Sequence, residues 1–310
     1  MKAVVVPRFG GPEVLQVADL PDRPVGPGEV RIRVAAAVIN PVDLAMRAGH
    51  FPMGDLPPPY ILGMELAGVV DTVGSGVPGL APGERVIAVV QPRRPEGGAQ
   101  AELVTVSADA VAPAPSNLSL TQAATLPMNG LTVRRALDLL TLPAGATLGV
   151  TGSAGAVGGY AIEMGKAAGL RVVADALPSD EALIRSLGAD VVVPRGAEFA
   201  EAVRQAVPGG LDAVIDAAVQ GAVVLPAVRH GGQVAAVRHF AGQTERGIRI
   251  HTVAVADYAH NRQALVDIGR LAADGRLTAR VAQTFPPEAA SEAHARLAAG
   301  GVRGRLVIVF

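Results

Sequence analysis

Cysteine and tryptophan are both absent from the 310 residues of the chain. Without cysteine there can be no disulfide, no thiol nucleophile, no thiolate zinc site and no iron–sulfur cluster. Aromatic residues make up only 3% of the sequence. The core must therefore be filled mainly by Ala, Val and Leu, and a binding site lined by aromatic rings is not expected.

The chain also lacks an excess of charge of either sign. It has 27 Lys and Arg against 28 Asp and Glu, for a formal net charge of −1, which excludes the broad basic field of a nucleic-acid binder and a polycationic patch for anionic membranes. The opening MKAVVVPRFGGPE contains no hydrophobic signal region. No run of about 18 apolar residues occurs without a Gly or Pro interruption. We expect a soluble, cytoplasmic protein that binds neither nucleic acid nor membrane.

Half of the residues are hydrophobic, and the length favours two domains. The first third is rich in turns and predicts short strands, among them Val30–Val38, Leu66–Val73 and Glu84–Val90. Several short strands at this spacing indicate a small barrel or sandwich.

From Ala146 onward, apolar strands alternate with short helices. The pattern begins with the buried strand ATLGVTG and includes a predicted helix near Ala222–Arg229. It predicts an α/β domain, in which right-handed crossovers connect the strands of a parallel sheet.

A glycine-rich turn follows the first strand of this α/β region. Gly152, Gly155 and Gly158 lie three residues apart where the strand must turn into a helix. Glycine permits the tight turn, lets backbone amides approach a pyrophosphate, and allows close packing of helix on strand. Ser153 replaces the first glycine of the strict G-x-G-x-x-G pattern. Because the turn opens a series of βα units, it predicts dinucleotide binding.

Two residues bear on which dinucleotide is bound. Asp175 lies 20 residues after Gly155 at the end of the second strand, where an acid would bind the ribose hydroxyls of NAD. Arg195, just beyond the third strand, could instead pair with a 2′-phosphate. Alternatively, Asp175 is simply a polar strand end and Arg195 a solvated loop residue.

The chain resembles the zinc-independent quinone oxidoreductases of the medium-chain dehydrogenase/reductase superfamily, the group that includes zeta-crystallin. The resemblance runs almost from end to end, through segments such as VINPVDLAMRAGHFP, LGMELAGVVDTVGSGV, NGLTVRRAL and SLGADVVV. It implies an α/β protein with a GroES-like β-barrel substrate domain and a Rossmann domain with a doubly wound parallel sheet. The implied substrate domain comprises residues 1–118 together with residues 260–310, and the implied Rossmann domain comprises residues 119–259.

The resemblance also implies site residues. Those expected to bind the cofactor are Gly152, Ser153, Ala154, Gly155, Ala156, Val157, Gly158, Asp175, Arg195, Val237 and Arg238. Substrate-pocket candidates are Asn40, Asp43 and Thr132, and Asn40 could equally cap the turn before Pro41. Where members often carry a tyrosine near the nicotinamide, this chain has Ala45. Members that prefer NADPH usually have an uncharged residue where Asp175 stands.

No metal is expected. Zinc-dependent relatives use Cys and His ligands, and the position of the ligating His in a segment like LGMELAG is taken here by Met64. None of the six histidines forms a close pair with ligand spacing. A catalytic metal would need three protein ligands and a supporting second layer of contacts.

Without a metal or a thiol, the chemistry must come from the cofactor. We expect NAD(P)H-dependent hydride transfer to a quinone or similar activated carbonyl, with NADP(H) favoured over NAD(H). The alternatives are reduction of the double bond of an enoyl compound or 2-alkenal, and a non-catalytic, crystallin-like protein that binds NADPH. The resemblance also implies a homodimer, because GIRIHTVAV alternates like a further edge strand and in relatives such an edge pairs across a two-fold axis. Alternatively, the edge is capped in a monomer, and Arg246 and Arg249 could keep it from pairing.

Overall fold

The computed structural model describes residues 1–240 and 242–310, and their contacts divide the chain into two units. Unit 1 comprises Met1–Met128, Ala259–Ala273 and Ala279–Phe310, and unit 2 comprises Asn129–Tyr258 and Asp274–Thr278. The division into domains at 118/119 and 259/260 stays a prediction. Within the described ranges, no helix is both long and apolar enough to cross a membrane.

Unit 1 is built mainly of strands. Its strands are β1 (Lys2–Val6), β2 (Gln16–Asp19), β3 (Glu29–Val38), β4 (Tyr60–Ile61), β5 (Glu65–Val73), β6 (Arg85–Val89), β7 (Leu103–Ser107), β8 (Val111–Pro113), β15 (Val281–Phe285) and β16 (Arg305–Val309). Its helices are α1 (Pro41–Arg47), α2 (Leu120–Ala123), α7 (Arg262–Ala273) and α8 (Ala290–Ala298).

Two sheets organise these strands. The larger has the order β15-β16-β3-β5-β6-β8, with β7 also paired to β3, and the smaller has the order β2-β1-β4. Among the described strands of unit 1, only the β15–β16 pairing is parallel. The last strand, β16, pairs with β3, so the two ends of the chain form one sheet. The predicted strand-rich unit is confirmed.

Unit 2 alternates strands and helices. Its strands are β9 (Thr147–Thr151), β10 (Arg171–Ala176), β11 (Val191–Pro194), β12 (Leu211–Asp216), β13 (Val228–Ala236) and β14 (Arg249–Thr252). Its helices are α4 (Ala156–Ala167), α5 (Glu181–Ser186) and α6 (Phe199–Ala206), while α3 (Pro127–Leu140) begins in unit 1 and ends in unit 2.

The sheet of unit 2 confirms the predicted α/β class. Its order is β11-β10-β9-β12-β13-β14, and every pairing is parallel. The chain reverses its direction of winding between β11 and β12, so the carboxyl ends of β9 and β12 lie beside each other. In open parallel sheets, ligands bind at this topological switch point.

One predicted element differs from the structure. The helix expected near Ala222–Arg229 is a 3₁₀ segment at Gly221–Ala227, and β13 begins at Val228. Pro226 lies inside the segment and has no amide hydrogen, so it cannot support a continuing α-helix. Val224 and Leu225 of this segment are buried, as expected for an apolar segment that packs on the sheet. The prediction was wrong about the type of helix.

Candidate functional site: the glycine turn of unit 2

The glycine turn connects β9 to α4 at the carboxyl edge of the parallel sheet. Gly152 follows the last residue of β9 and has φ = +65°, a left-handed conformation that side chains disfavour. The Gly155 amide donates to the Gly152 carbonyl at 2.9 Å, which closes the turn. Gly155 is then the N-cap of α4.

Close approach of backbone to backbone requires glycine at position 158 and leaves little room for a side chain at positions 152 and 155. A Cβ on Gly158 would lie 2.3 Å from the Gly152 carbonyl oxygen, and one on Gly152 would lie 3.1 Å from the Ala218 amide nitrogen. A Cβ on Gly155 would meet the Gly152 carbonyl oxygen at 3.1 Å. The first turn of α4 therefore packs directly on the turn that precedes it.

This arrangement suits an anion. The first amides of α4, at Ala156, Val157 and Gly158, have no acceptor within the helix, and the helix dipole places partial positive charge there. The backbone of a glycine turn can come close to a diphosphate because no Cβ intervenes. The residues present therefore fit the pyrophosphate of a dinucleotide.

Asp175, at the end of β10, is tied to this turn. It is only 1% exposed, and its Oδ1 accepts a hydrogen bond from the Ser153 amide at 2.9 Å. Its Oδ2 is buried and has no hydrogen-bond partner among the described residues. The Ser153 hydroxyl donates to the Val150 carbonyl at 3.0 Å, so Ser153 is fixed through both its backbone and its side chain.

A second acid holds the loop after β12, and the sequence reasoning missed it. Asp216 is 1% exposed and accepts hydrogen bonds from the Thr151 hydroxyl at 2.7 Å and from the amides of Gln220 at 3.0 Å and Gly221 at 2.9 Å. The Thr151 hydroxyl accepts from the Ala218 amide at 3.2 Å. Its position in the sequence could have identified it, because Asp216 lies at the end of an apolar strand, as Asp175 does.

The other predicted cofactor residues of unit 2 follow neighbouring strands. Arg195 comes directly after β11, its amide donates to the Ala176 carbonyl at 3.0 Å, and its side chain is exposed. Val237 and Arg238 come directly after β13, half-buried and exposed respectively. Thr132 is 5% exposed within α3. All except Thr132 thus follow the carboxyl ends of parallel strands.

In unit 1, Asn40 and Asp43 lie together at the start of α1. The Asp43 carboxylate accepts from the amides of Asn40 at 2.7 Å and Gly63 at 3.0 Å. Asn40 is the N-cap of α1, and Pro41 is its first residue. Burial raises the pKa of Asp43 to about 7, although both of these hydrogen bonds act to lower it.

The Asn40 side chain belongs to a buried cluster with Glu65 and Arg305. The Asn40 amide group donates to Glu65 Oε1 at 3.1 Å, and Arg305 Nη2 donates to Asn40 Oδ1 and to Glu65 Oε1, both at 2.6 Å. Glu65 Oε2 accepts from the Met128 amide at 2.8 Å. Burial raises the pKa of Glu65, and the Arg305 charge opposes that effect. Sequence reasoning missed Glu65 and Arg305. The sequence marks each of them only as a single charged residue in an apolar strand.

The position aligned with a zinc-ligating histidine in relatives is occupied by a buried methionine. Met64 is 6% exposed and precedes Glu65. Residues 1–240 and 242–310 contain no group of three or more His, Cys, Asp or Glu arranged to hold a metal ion. The fit observed in unit 2 is to a nucleotide diphosphate.

Two family profiles match the chain. Residues 26–116 match the alcohol dehydrogenase GroES-like domain, and residues 187–308 match the family described as zinc-binding dehydrogenase. Together these ranges cover most of both units.

Curated relatives extend the match. The chain is 32% identical to the NADPH-dependent alkenal/one oxidoreductase, chloroplastic, of Arabidopsis thaliana, over 87% of this chain and 70% of that protein. It is also 32% identical to the 2-methylene-furan-3-one reductase of Solanum lycopersicum, over 76% of this chain. The match to the tomato protein spans 61% of its length.

Solved structures agree in fold over the full length. An NAD-dependent alcohol dehydrogenase superposes with a TM-score of 0.89 at 32% identity, covering all of both chains. The quinone oxidoreductase from Coxiella burnetii superposes with a TM-score of 0.86 at 28% identity, covering 100% of this chain and 99% of that one. The chain therefore belongs to the medium-chain dehydrogenase/reductase superfamily, as the resemblance to its quinone oxidoreductases predicted.

Proposed function

We propose that the chain binds a reduced nicotinamide dinucleotide at the glycine turn and reduces a quinone or a similarly activated carbonyl compound. The observation that carries this proposal is the turn itself, where Gly152, Gly155 and Gly158 bring backbone close to backbone at the amino end of α4, with no Cβ between the backbone and a bound diphosphate. When bound, the nicotinamide supplies the hydride. The chain's part is to hold the diphosphate, fix the ring and exclude water.

A quinone suits the side chains of this protein. Its reduction gives a delocalised oxyanion that solvent can protonate, so no strongly tuned general acid is required. The three tyrosines are Tyr60, Tyr160 and Tyr258. Tyr258 donates its hydroxyl proton to Asp138 at 2.6 Å, and the Tyr60 ring stacks on Phe9 at 5.3 Å between centroids. Tyr160 is buried within α4.

We propose that Asn40 and Asp43 shape unit 1 rather than bind substrate directly. Both atoms of the Asn40 amide group are used by Glu65 and Arg305, and the Asp43 carboxylate is used by backbone amides. The contact of Thr132 with substrate stays a prediction.

We further propose that NADP(H) is preferred over NAD(H). The argument for NAD rested on Asp175, but this residue is only 1% exposed: its Oδ1 accepts from the Ser153 amide, and its Oδ2, which has no partner among the described residues, is buried rather than exposed. Arg195, in contrast, is an exposed cation after the neighbouring strand β11. A guanidinium binds a phosphate through charge-assisted hydrogen bonds.

The coenzyme preference is tested by titrating Arg195→Ala with NADPH and NADH. Loss of a charge-assisted contact should weaken NADPH binding by about 10- to 100-fold and leave NADH binding unchanged. Arg185→Ala is the matched control, because Arg185 is an exposed arginine of the same unit that pairs with Glu181. Equal NADPH affinity in Arg195→Ala and Arg185→Ala would refute the role of Arg195.

A second candidate function is reduction of an activated carbon–carbon double bond. The Arabidopsis and tomato relatives are, by name, an alkenal/one oxidoreductase and a 2-methylene-furan-3-one reductase. This reaction needs a proton at the neighbouring carbon, which the hydroxyl of Tyr258, already bound to Asp138, is poorly placed to give.

Steady-state rates with 1,2-naphthoquinone and with a 2-alkenal separate these candidates. The proposed function expects NADPH oxidation to be faster with the quinone. Rapid turnover of the alkenal with no turnover of the quinone would favour the second candidate. Coenzyme binding without oxidation by either acceptor would favour the non-catalytic alternative.

We propose a homodimer that forms through β14, the terminal strand of the parallel sheet. Arg246, a charge that could keep this edge from pairing, donates from its Nη1 to the Val228 carbonyl at 2.8 Å. Sedimentation velocity tests the proposal, and a species of one chain at micromolar concentration would contradict it. The cytoplasmic location stays a prediction.

A further inference from the structure

Unit 1 contains a pocket to which the proposed function assigns no ligand. Its walls come from the start of the chain, the segment that leads into β4, the segment after β6 and strand β7. Its volume is about 520 Å³, which lies within the roughly 300–1,000 Å³ of small-molecule sites. None of the residues that line it is among those predicted to bind coenzyme or substrate.

Most of the pocket wall is apolar and conformationally restricted. The Arg93 guanidinium lies 5.2 Å from the centre of the Phe51 ring, a contact that links the segment before β4 to the segment after β6. Because a proline ring fixes φ, a wall of prolines loses little freedom when a ligand binds. Five prolines line the pocket, namely Pro21, Pro57, Pro59, Pro92 and Pro95.

Two arginines that line the pocket are connected through Thr105. Arg31 of β3 lies directly opposite Thr105 of β7, and Arg94 Nη1 donates to the Thr105 carbonyl at 2.7 Å. Arg94 Nε donates to the Gly97 carbonyl at 2.8 Å, whereas its Nη2 is buried and has no hydrogen-bond partner among the described residues. A buried donor without an acceptor costs free energy, so the protein alone does not fully satisfy this guanidinium.

Arg31 retains a donor for a ligand. Its Nε donates to Asp71 Oδ2 at 2.7 Å, and its Nη2 donates to the Thr72 hydroxyl at 3.2 Å. Its Nη1 makes no hydrogen bond to the described residues, and the side chain is 25% exposed. Arg31 Nη1 is therefore available to an acceptor in the pocket.

The ion pairs around the pocket carry an excess of positive charge. Burial lowers the pKa of Arg94, and the charge of Glu96 opposes that effect from 4.0 Å, the longest contact of the network. One further carboxylate would balance these charges. Four guanidinium groups share three carboxylates in the pairs Arg23–Glu29, Arg23–Glu96, Arg31–Asp71, Arg33–Asp71 and Arg94–Glu96.

We propose that this pocket binds a small apolar monocarboxylic acid, with its carboxylate beside Arg31 and Arg94 and its apolar body against the prolines. The carboxylate accepts a charge-assisted hydrogen bond from Arg31 Nη1 and supplies the negative charge that Arg94 lacks. The inference goes beyond the proposed function and does not depend on it, because no coenzyme takes part in this contact.

The test is calorimetric titration of the full chain, without coenzyme, with 4-phenylbutyrate and with its uncharged analogue 4-phenylbutyramide. The two probes share the same apolar body, so their difference reports on the carboxylate. We expect the acid to bind and the amide to bind at least about tenfold more weakly.

Arg94→Met should weaken binding of 4-phenylbutyrate by about tenfold or more. Arg85→Met is the matched control, because Arg85 is a half-buried arginine of unit 1 that also donates to two backbone carbonyls but does not line the pocket. Leu56→Trp fills the pocket from its wall and removes no hydrogen bond, so it should abolish binding of both probes.

Absence of binding of 4-phenylbutyrate to the wild type at about 10 mM would overturn the inference. Equal affinities for the acid and the amide would overturn it as well, as would equal affinities in Arg94→Met and Arg85→Met. If Arg94→Met does not fold, Leu56→Trp decides, because unchanged binding in that variant would mean that the acid lies elsewhere. Titration of the same wild-type protein with NADPH tests the proposed function separately.

Discussion

The carboxylate of Asp175 accepts a hydrogen bond from the backbone amide of Ser153 at 2.9 Å. Ser153 occupies the place of the first glycine in the strict dinucleotide-binding pattern, and Asp175 occupies the place of the acid that would bind ribose. The structure joins this departure from the pattern and this expected acid in one contact. Asp175 thereby stabilises the turn, because its carboxylate is a charged acceptor for the hydrogen bond of the Ser153 amide.

Asp175→Ala should therefore reduce stability more than coenzyme selectivity. Removing the acceptor leaves the Ser153 amide buried and unsatisfied, which costs about 1–3 kcal/mol. Urea unfolding gives the stability, and titration with NADH and NADPH gives the ratio of dissociation constants, which we expect to be unchanged. A selective loss of NADH affinity would show that Asp175 binds the ribose.

Gly158→Ala should disrupt the site. The added Cβ would lie 2.3 Å from the Gly152 carbonyl oxygen and 2.7 Å from the Ser153 Cα, so α4 must move away from the turn. We expect a loss of about 1–3 kcal/mol in unfolding free energy, and no detectable heat of NADPH binding by calorimetry. Gly209→Ala is the control, because a Cβ there meets nothing within 4 Å. Normal NADPH binding by Gly158→Ala would contradict the packing described here.

His294 should make the fold sensitive to acid. Burial, together with the nearby Arg47 charge, lowers the pKa of His294 to about 3, and Arg47 Nη1 lies 3.2 Å from its Nδ1. Between about pH 6.5 and pH 3, the unfolded chain binds a proton at this residue that the folded chain does not. Stability must therefore fall as pH falls through this window, with a slope approaching about 1.4 kcal/mol per pH unit.

The measurement is the difference in unfolding free energy between the wild type and His294→Gln at pH 7, 6, 5 and 4. The difference is needed because Asp43, with its raised pKa, acts in the opposite direction: the folded state retains its proton between about pH 4 and pH 7. Relative to wild type, His294→Gln should gain stability as pH falls. A constant difference would mean that folding does not lower the pKa of His294.

Arg305→Met should cost about 3–5 kcal/mol of stability, because it leaves Glu65 buried without its cation. The pair is nearly excluded from solvent, with side-chain exposures of 7% and 0%. Arg185→Met is the control, since the Arg185–Glu181 pair is about half exposed and contributes at most about 1 kcal/mol. If the additional change Glu65→Leu restores none of the stability lost in Arg305→Met, the cost did not come from an uncompensated charge.

Local sequence patterns were sufficient for the class of fold and the location of the turn. The alternation of apolar strands and short helices predicted the parallel sheet. This was possible because the spacing of apolar residues in a strand or a helix is set by the backbone geometry of that element alone. The glycines at 152, 155 and 158 predicted the turn, because the backbone approaches found there leave no room for a Cβ at 158 and little at 152 and 155. The exception is Gly221–Ala227, where Pro226 does not allow the predicted helix to continue as an α-helix.

The tertiary structure decided which polar groups meet. Thr151 and Asp216 are 65 residues apart, and Glu65 and Arg305 are 240 residues apart, yet each pair forms a buried hydrogen bond. Such contacts depend on strand order and register, which no local period encodes. The sequence by itself determined that a turn able to bind a diphosphate follows the first strand of an α/β unit. Only the folded chain decided that Asp175 supports that turn from within, because the packing of β10 beside β9 buries its carboxylate under the Ser153 amide.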